Sequence, residues 1–174
     1  SGVLFFNRRN LGVTGVPPFQ QVVSECGFYV RRFDADEAVR ITPASWNCEA
    51  ESVAGYAISP DGDEVIFGSS IVFGVVRLSA FSVSTGTFRT ILEEPWTFAS
   101  LAPGNIFVTP DGRRVLFATG ATGSQHDYRF ETIDVDGQNR RLLFSDFSFF
   151  SANACLSPDG RRIARFGSDE VVFP

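Results

Sequence analysis

Tyr56-Ala57-Ile58-Ser59-Pro60-Asp61-Gly62-Asp63-Glu64-Val65-Ile66-Phe67 sets the architecture of this chain. Proline pre-sets φ at the first central position of a turn, aspartate bonds forward to its own backbone, and glycine accepts the positive φ that closes the bend. The flanks are short apolar runs of strand-forming residues, so the stretch predicts a β-hairpin. It returns at Ile106-Phe107-Val108-Thr109-Pro110-Asp111-Gly112-Arg113-Arg114-Val115-Leu116-Phe117 and again at Ala154-Cys155-Leu156-Ser157-Pro158-Asp159-Gly160-Arg161-Arg162-Ile163-Ala164. Asp61, Asp111 and Asp159 are 50 and 48 residues apart. One such tripeptide is commonplace; three in phase indicate a repeat.

A second hairpin keeps the same period. Residues 32–41, 80–91 and 132–143 each read as a strand, a polar turn and a strand carrying arginine, and Asp36, Ser84 and Asp136 are 48 and 52 residues apart. Two hairpins on one period of about 50 residues make a four-stranded unit, the pattern of propeller blades. The run Ser/Thr-Pro-Asp-Gly, then an aliphatic-aromatic strand, then a polar turn before an arginine-bearing strand resembles the WD-like propeller repeat of TolB-type proteins. It also resembles the propeller domains of prolyl-oligopeptidase-type peptidases. The resemblance runs from Phe28 to Phe166 and rests on turn and core positions, so it speaks to fold more than to function.

The expectation is an all-β chain: a β-propeller arc of four-stranded antiparallel blades, about three and a half of them. A single partial propeller domain, 1–174, divides into repeats at 1–48, 49–95, 96–147 and 148–174. Val3-Leu4-Phe5-Phe6 reads as the second strand of a blade, and the last unit stops after Val171-Val172-Phe173. The blades thus hold three, four, four and three strands, fourteen in all. An open arc leaves an apolar sheet face at each end. Four strands about 4.8 Å apart and five residues long give about 300 Å² per face. At roughly 25 cal/mol per Å² that face is worth about 8 kcal/mol, comparable to the stability of a whole domain. The arc is therefore expected to close against a second copy or a missing segment of its own chain. A self-closed four-bladed ring ranks second.

With 44% hydrophobic residues in 174, the chain is long and apolar enough for a core. No apolar run reaches the 18 or so residues of a membrane helix. A net charge of −5 argues against phosphate-driven nucleic-acid binding. The Arg-Arg pairs at 8–9, 31–32, 113–114, 140–141 and 161–162 read as separated surface positions. Nineteen phenylalanines suit the packing of sheet against sheet. The chain opens Ser1-Gly2 and has no methionine, which suggests a processed or recombinant fragment.

Cys26, Cys48 and Cys155 are an odd set. Cys26 and Cys48 flank neighbouring strands, which leaves open either a bridge between them or small buried thiols. Residues 11–25 read as an extended connection; insertions on a rigid scaffold are where binding residues concentrate, although a plain surface excursion is the stronger reading. Glu93 and Glu94 beside Trp96 suit a sugar or cationic peptide, although a tryptophan after a blade more often wedges between sheets. His126, the only histidine, has Asp127 as neighbour and reads as a solvent-exposed loop residue rather than a base. Asp34 with Asp36, and Asp134 with Asp136, have the alternation of a calcium loop but lack its full frame, so hairpin-turn chemistry accounts for them better.

No catalytic, cofactor or metal residue is assigned, for want of a Gly-x-Ser-x-Gly elbow, a His/Cys cluster or a phosphate-cradling glycine loop. The function expected is a non-catalytic, TolB-like protein-interaction scaffold whose partner is a protein or a second copy completing the ring, with no cofactor, no nucleic-acid partner and no membrane span. The resemblance places it outside the cytoplasm, periplasmic or secreted. The alternatives are the propeller domain of a larger enzyme such as a prolyl-oligopeptidase-type serine peptidase, or a propeller lactonase or lyase.

Overall fold

The computed structural model describes residues 3–13, 21–32, 36–43, 46, 51–71, 74–95, 101–120, 128–146, 154–165 and 171–172. Among them there is no helix, and fourteen strands form four antiparallel sheets. The first sheet holds β1 (Val3–Val13), β2 (Gln21–Arg32) and β3 (Val39–Arg40). The second holds β4 (Glu51–Ile58), β5 (Glu64–Ile71), β6 (Val75–Ser82) and β7 (Phe88–Pro95). The third holds β8 (Leu101–Val108), β9 (Arg114–Gly120), β10 (Tyr128–Asp134) and β11 (Arg141–Asp146). The fourth holds β12 (Ala154–Leu156), β13 (Arg162–Arg165) and β14 (Val171–Val172). Every sheet is a meander in chain order, the blade pattern that the two interleaved hairpins predict. The chain divides into two compact units, Ser1–Glu51 and Ser52–Pro174.

In the first unit β1 and β2 form one long hairpin. This corrects the reading of 11–25 as an extended connection: Leu11, Gly12 and Val13 pair with Val23, Val22 and Gln21. β-branched residues at 13, 22 and 23 favour a pleated backbone, and the ladder continues through them. A bulge beside Asn10 and Leu11 absorbs one residue of β2 and kinks the ribbon. Residues 14–20 lie outside the described residues. Tyr29, Val30 and Ile41 are buried. Gly27 is required by close approach, because a Cβ there would lie 2.7 Å from Thr42 Oγ1. That same hydroxyl accepts a bond from the Phe28 amide.

In the second unit, strand alternation divides the sides of the third sheet between its two neighbours. Val115 and Phe117 face the second sheet and pack with Ile66, Leu78, Ala80 and Ile91, joined by Ile106 and Ile133. Ala118 and Phe130 face the other way, with Phe144 and Ala154 against them. Phe130 stacks on Phe144 with ring centroids 4.6 Å apart, and Phe67, Phe117 and Phe130 are the largest fully buried side chains. These phenylalanines thus serve packing within and between sheets. Backbones of neighbouring sheets approach where β8 lies against β5 on one side and β12 on the other.

Candidate functional site

Three turns of one design close the first hairpins of the second, third and fourth sheets. In each, a hydroxyl at the first position donates to the aspartate: Ser59 to Asp61 at 2.5 Å, Thr109 to Asp111 at 2.6 Å, Ser157 to Asp159 at 2.6 Å. The hydroxyl oxygen also accepts the amide five residues on, from Glu64, Arg114 and Arg162. The aspartate accepts the amide two residues on, from Asp63, Arg113 and Arg161. Glycine then takes φ of 76°, 71° and 70°, the left-handed region that a side chain disfavours. The hydroxyl bond first, and the amide bond second, hold all three carboxyls below their ordinary value of 3.8.

The turns also touch one another. A Cβ on Gly160 would lie 2.5 Å from Pro110 Cδ, and one on Gly112 would lie 3.9 Å from Pro60 Cδ. Each proline ring therefore sits over the glycine of the next turn. Beside this row run ion pairs within and between sheets. Arg89 binds Glu64 through both carboxylate oxygens, at 2.8 and 2.9 Å, and donates across the joint to the Val135 carbonyl. Arg140 donates to Glu131 at 2.5 Å and, across the same joint, to Glu94. Glu131 is almost buried, at 6% exposure, and also accepts from Thr119. Burial works to lower the Arg140 pKa, but the bonds to Glu131 and Glu94 outweigh it and raise it. The Arg140 guanidinium carbon lies 6.0 Å from the Phe117 ring centre, where in the second sheet Phe88 meets Phe67.

Glu93 and Glu94, considered as ligand contacts, are engaged by Arg77 and Arg140. Asp134 accepts from Asn139 and pairs with Arg114 at 3.3 Å, while Asp136 accepts the Gln138 amide, which is hairpin-turn chemistry. Asp36 is exposed. Trp96, His126, Asp127, Asp34 and Cys48 lie outside the described residues, so a Cys26–Cys48 bridge does too. Cys155 is a free, exposed thiol. Of the arginine pairs, Arg113, Arg114, Arg141, Arg161 and Arg162 are exposed, but Arg114, Arg141 and Arg161 border one hollow rather than standing separated as the sequence suggests. Arg140 departs from that reading by bridging two sheets. Sequence reasoning missed Glu64, Glu131 and the joint-forming role of Arg89; only the recurrence of arginine at that strand position hinted at it.

Two hollows lie between the third and fourth sheets. One, of about 690 Å³, is an open groove between turns, bordered by Asp111, Arg113, Asp134, Asp136 and Asp159. The other, of about 400 Å³, is lined by Arg114, Leu116, Thr132, Arg141, Leu143 and Arg161, among others. No group of three or more metal-ligating side chains occurs among the described residues, and no described helix is long and apolar enough to cross a membrane.

No protein-family model and no curated protein matches the chain. Solved structures do. TolB from Acinetobacter baumannii is similar with a TM-score of 0.54 at 14% identity, over 84% of this chain and 45% of that one. A chain of a nidogen/laminin complex is similar with a TM-score of 0.57 at 15% identity, over 84% and 50%. A prolyl endopeptidase is similar with a TM-score of 0.56 at 14% identity, over 88% and 27%. The chain thus spans half or less of each of these proteins. They include an enzyme as well as proteins not named as such, and at these identities they speak for architecture alone. Four meandering sheets, a turn motif repeated in phase and these likenesses together make the fold a β-propeller one.

Proposed function

We propose that this chain is a run of propeller blades serving as a non-catalytic protein-interaction scaffold of the TolB kind, outside the cytoplasm. Its outer sheet face is covered by further blades, supplied by a second copy or by more of its own chain. The observation that carries this is on the fourth sheet. Cys155 pairs with Ala164 as Phe107 pairs with Leu116 in the third sheet. Leu116 is 4% exposed beneath the fourth sheet, yet Cys155 and Ala164 are exposed. The same repeat position is covered in one blade and bare in the next, which supports a neighbour there. The scaffold reading draws further support from the ionisable side chains described above, which tie strands and sheets together.

Sedimentation velocity over a range of protein concentrations tests the closure. A species of twice the 19.1 kDa chain mass, populated as concentration rises, is the expected result for closure by a second copy. A strictly monomeric chain whose reading frame encodes no further blades would overturn it. A Gly-x-Ser-x-Gly elbow elsewhere in that frame would favour the peptidase reading instead.

A further inference from the structure

The third sheet repeats the second position by position, so one joint serves as a control for the next. Glu64 stands opposite Ser82 as Arg114 stands opposite Asp134. Ala80 stands opposite Arg89 as Thr132 stands opposite Arg141. In the second sheet the arginine of the trio Glu64, Ala80 and Arg89 is held by the glutamate and by the Val135 carbonyl of the next sheet, and the Ala80 methyl group is buried in the core. In the third sheet the trio is Arg114, Thr132 and Arg141. A carboxylate has become a cation and a methyl has become a hydroxyl, on the face turned toward the fourth sheet.

There the three residues line the 400 Å³ cleft together with Arg161, Leu116 and Leu143. Arg114 has one carboxylate, Asp134, at 3.3 Å. The side chains of Arg141 and Arg161 form no hydrogen bond or ion pair among the described residues. Asp159 is within electrostatic range of Arg161 but accepts only its backbone amide. Thr132 is 4% exposed, and its Oγ1 is fully buried with no partner. A buried hydroxyl without a bond is costly and calls for an occupant. Guanidinium forks gathered around one cleft are complementary to an oxyanion, and Thr132 among them carries a hydroxyl that has no bond of its own.

We propose that this cleft is a binding site for a small oxyanion, a phosphate or carboxylate group on a compact molecule. Arg114, Arg141 and Arg161 neutralise the charge, Thr132 Oγ1 donates to one oxygen, and Leu116 and Leu143 hold the apolar remainder.

The test is calorimetric titration of the full chain with inorganic phosphate and with acetate, each against sodium chloride at equal ionic strength. Two variants restore the second sheet's own residues, so both suit the fold: Arg114→Glu and Thr132→Ala. The expected result is saturable binding of phosphate, acetate or both. Arg114→Glu should weaken it at least tenfold, because Arg141 then takes the pairing that Arg89 has, and Thr132→Ala roughly threefold. Binding of phosphate alone assigns a phosphoryl ligand, and of acetate alone a carboxylate. Heats no different from chloride, or affinity unchanged in Arg114→Glu, would overturn the proposal. Should Arg114→Glu fail to fold by circular dichroism, unchanged affinity in Thr132→Ala overturns it equally.

Discussion

At the scale of single residues, each turn hangs on one hydroxyl that donates to an aspartate and accepts an amide from across the bend. Pro-Asp-Gly is legible as a bend from its three residue types. The double role of Ser59, Thr109 and Ser157 is not, since only the folded geometry brings the amide of the returning strand to that oxygen. Glycine shows the difference between a local and a tertiary demand. Gly86 and Gly160 have nearly the same backbone, φ of 68° and 70°, but a Cβ at 86 meets nothing within 4 Å while one at 160 runs into Pro110. Gly86→Ala should therefore cost only the backbone term, about 1 kcal/mol. Gly160→Ala should cost about 1–3 kcal/mol more, from forced displacement of the proline ring. Urea denaturation of the two variants checks this; equal losses would mean that the Pro110 contact carries no stability.

At the scale of elements, strands and their pairing follow from apolar alternation between turns, which is why the three, four, four and three strands of the sheets are anticipated in kind from local sequence. β1 and β2 run longer than the sequence suggests because Gly12 reads as a loop residue until its pairing with Val22 is seen. The joints between sheets were illegible for a different reason. Glu94 and Arg140 are 46 residues apart, and nothing near either marks the other as a partner. Their energetics follow from burial. Arg140→Ala would leave the buried Glu131 carboxylate without its cation, and a loss of about 2–3 kcal/mol is expected, somewhat below that of a fully buried pair because Arg140 is partly exposed. Arg77→Ala, which breaks only an exposed pair with Glu93, should cost less than about 1 kcal/mol. Chemical denaturation of both variants measures the contrast, and comparable losses would refute the burial argument.

At the scale of the whole molecule, a period near 50 residues was enough to announce blades and their strand content, because repetition is a property that sequence displays directly. What lies against the last blade leaves no such trace, since a bare face is written in the same apolar alphabet as a covered one. Cys155 makes it measurable. If a second copy covers the fourth sheet, alkylation of Cys155, followed by peptide mass spectrometry, should slow as protein concentration rises. A rate independent of concentration would place the covering surface elsewhere. The proline-on-glycine contacts have a consequence for how such a chain changes over generations. Both contacts along the turn row join a residue of one blade to a residue of the next, the last of them setting Gly160 of the C-terminal sheet against Pro110. Units gained or lost at that end would leave the existing seams as they are, so the chain can grow by duplication without being rewritten inside.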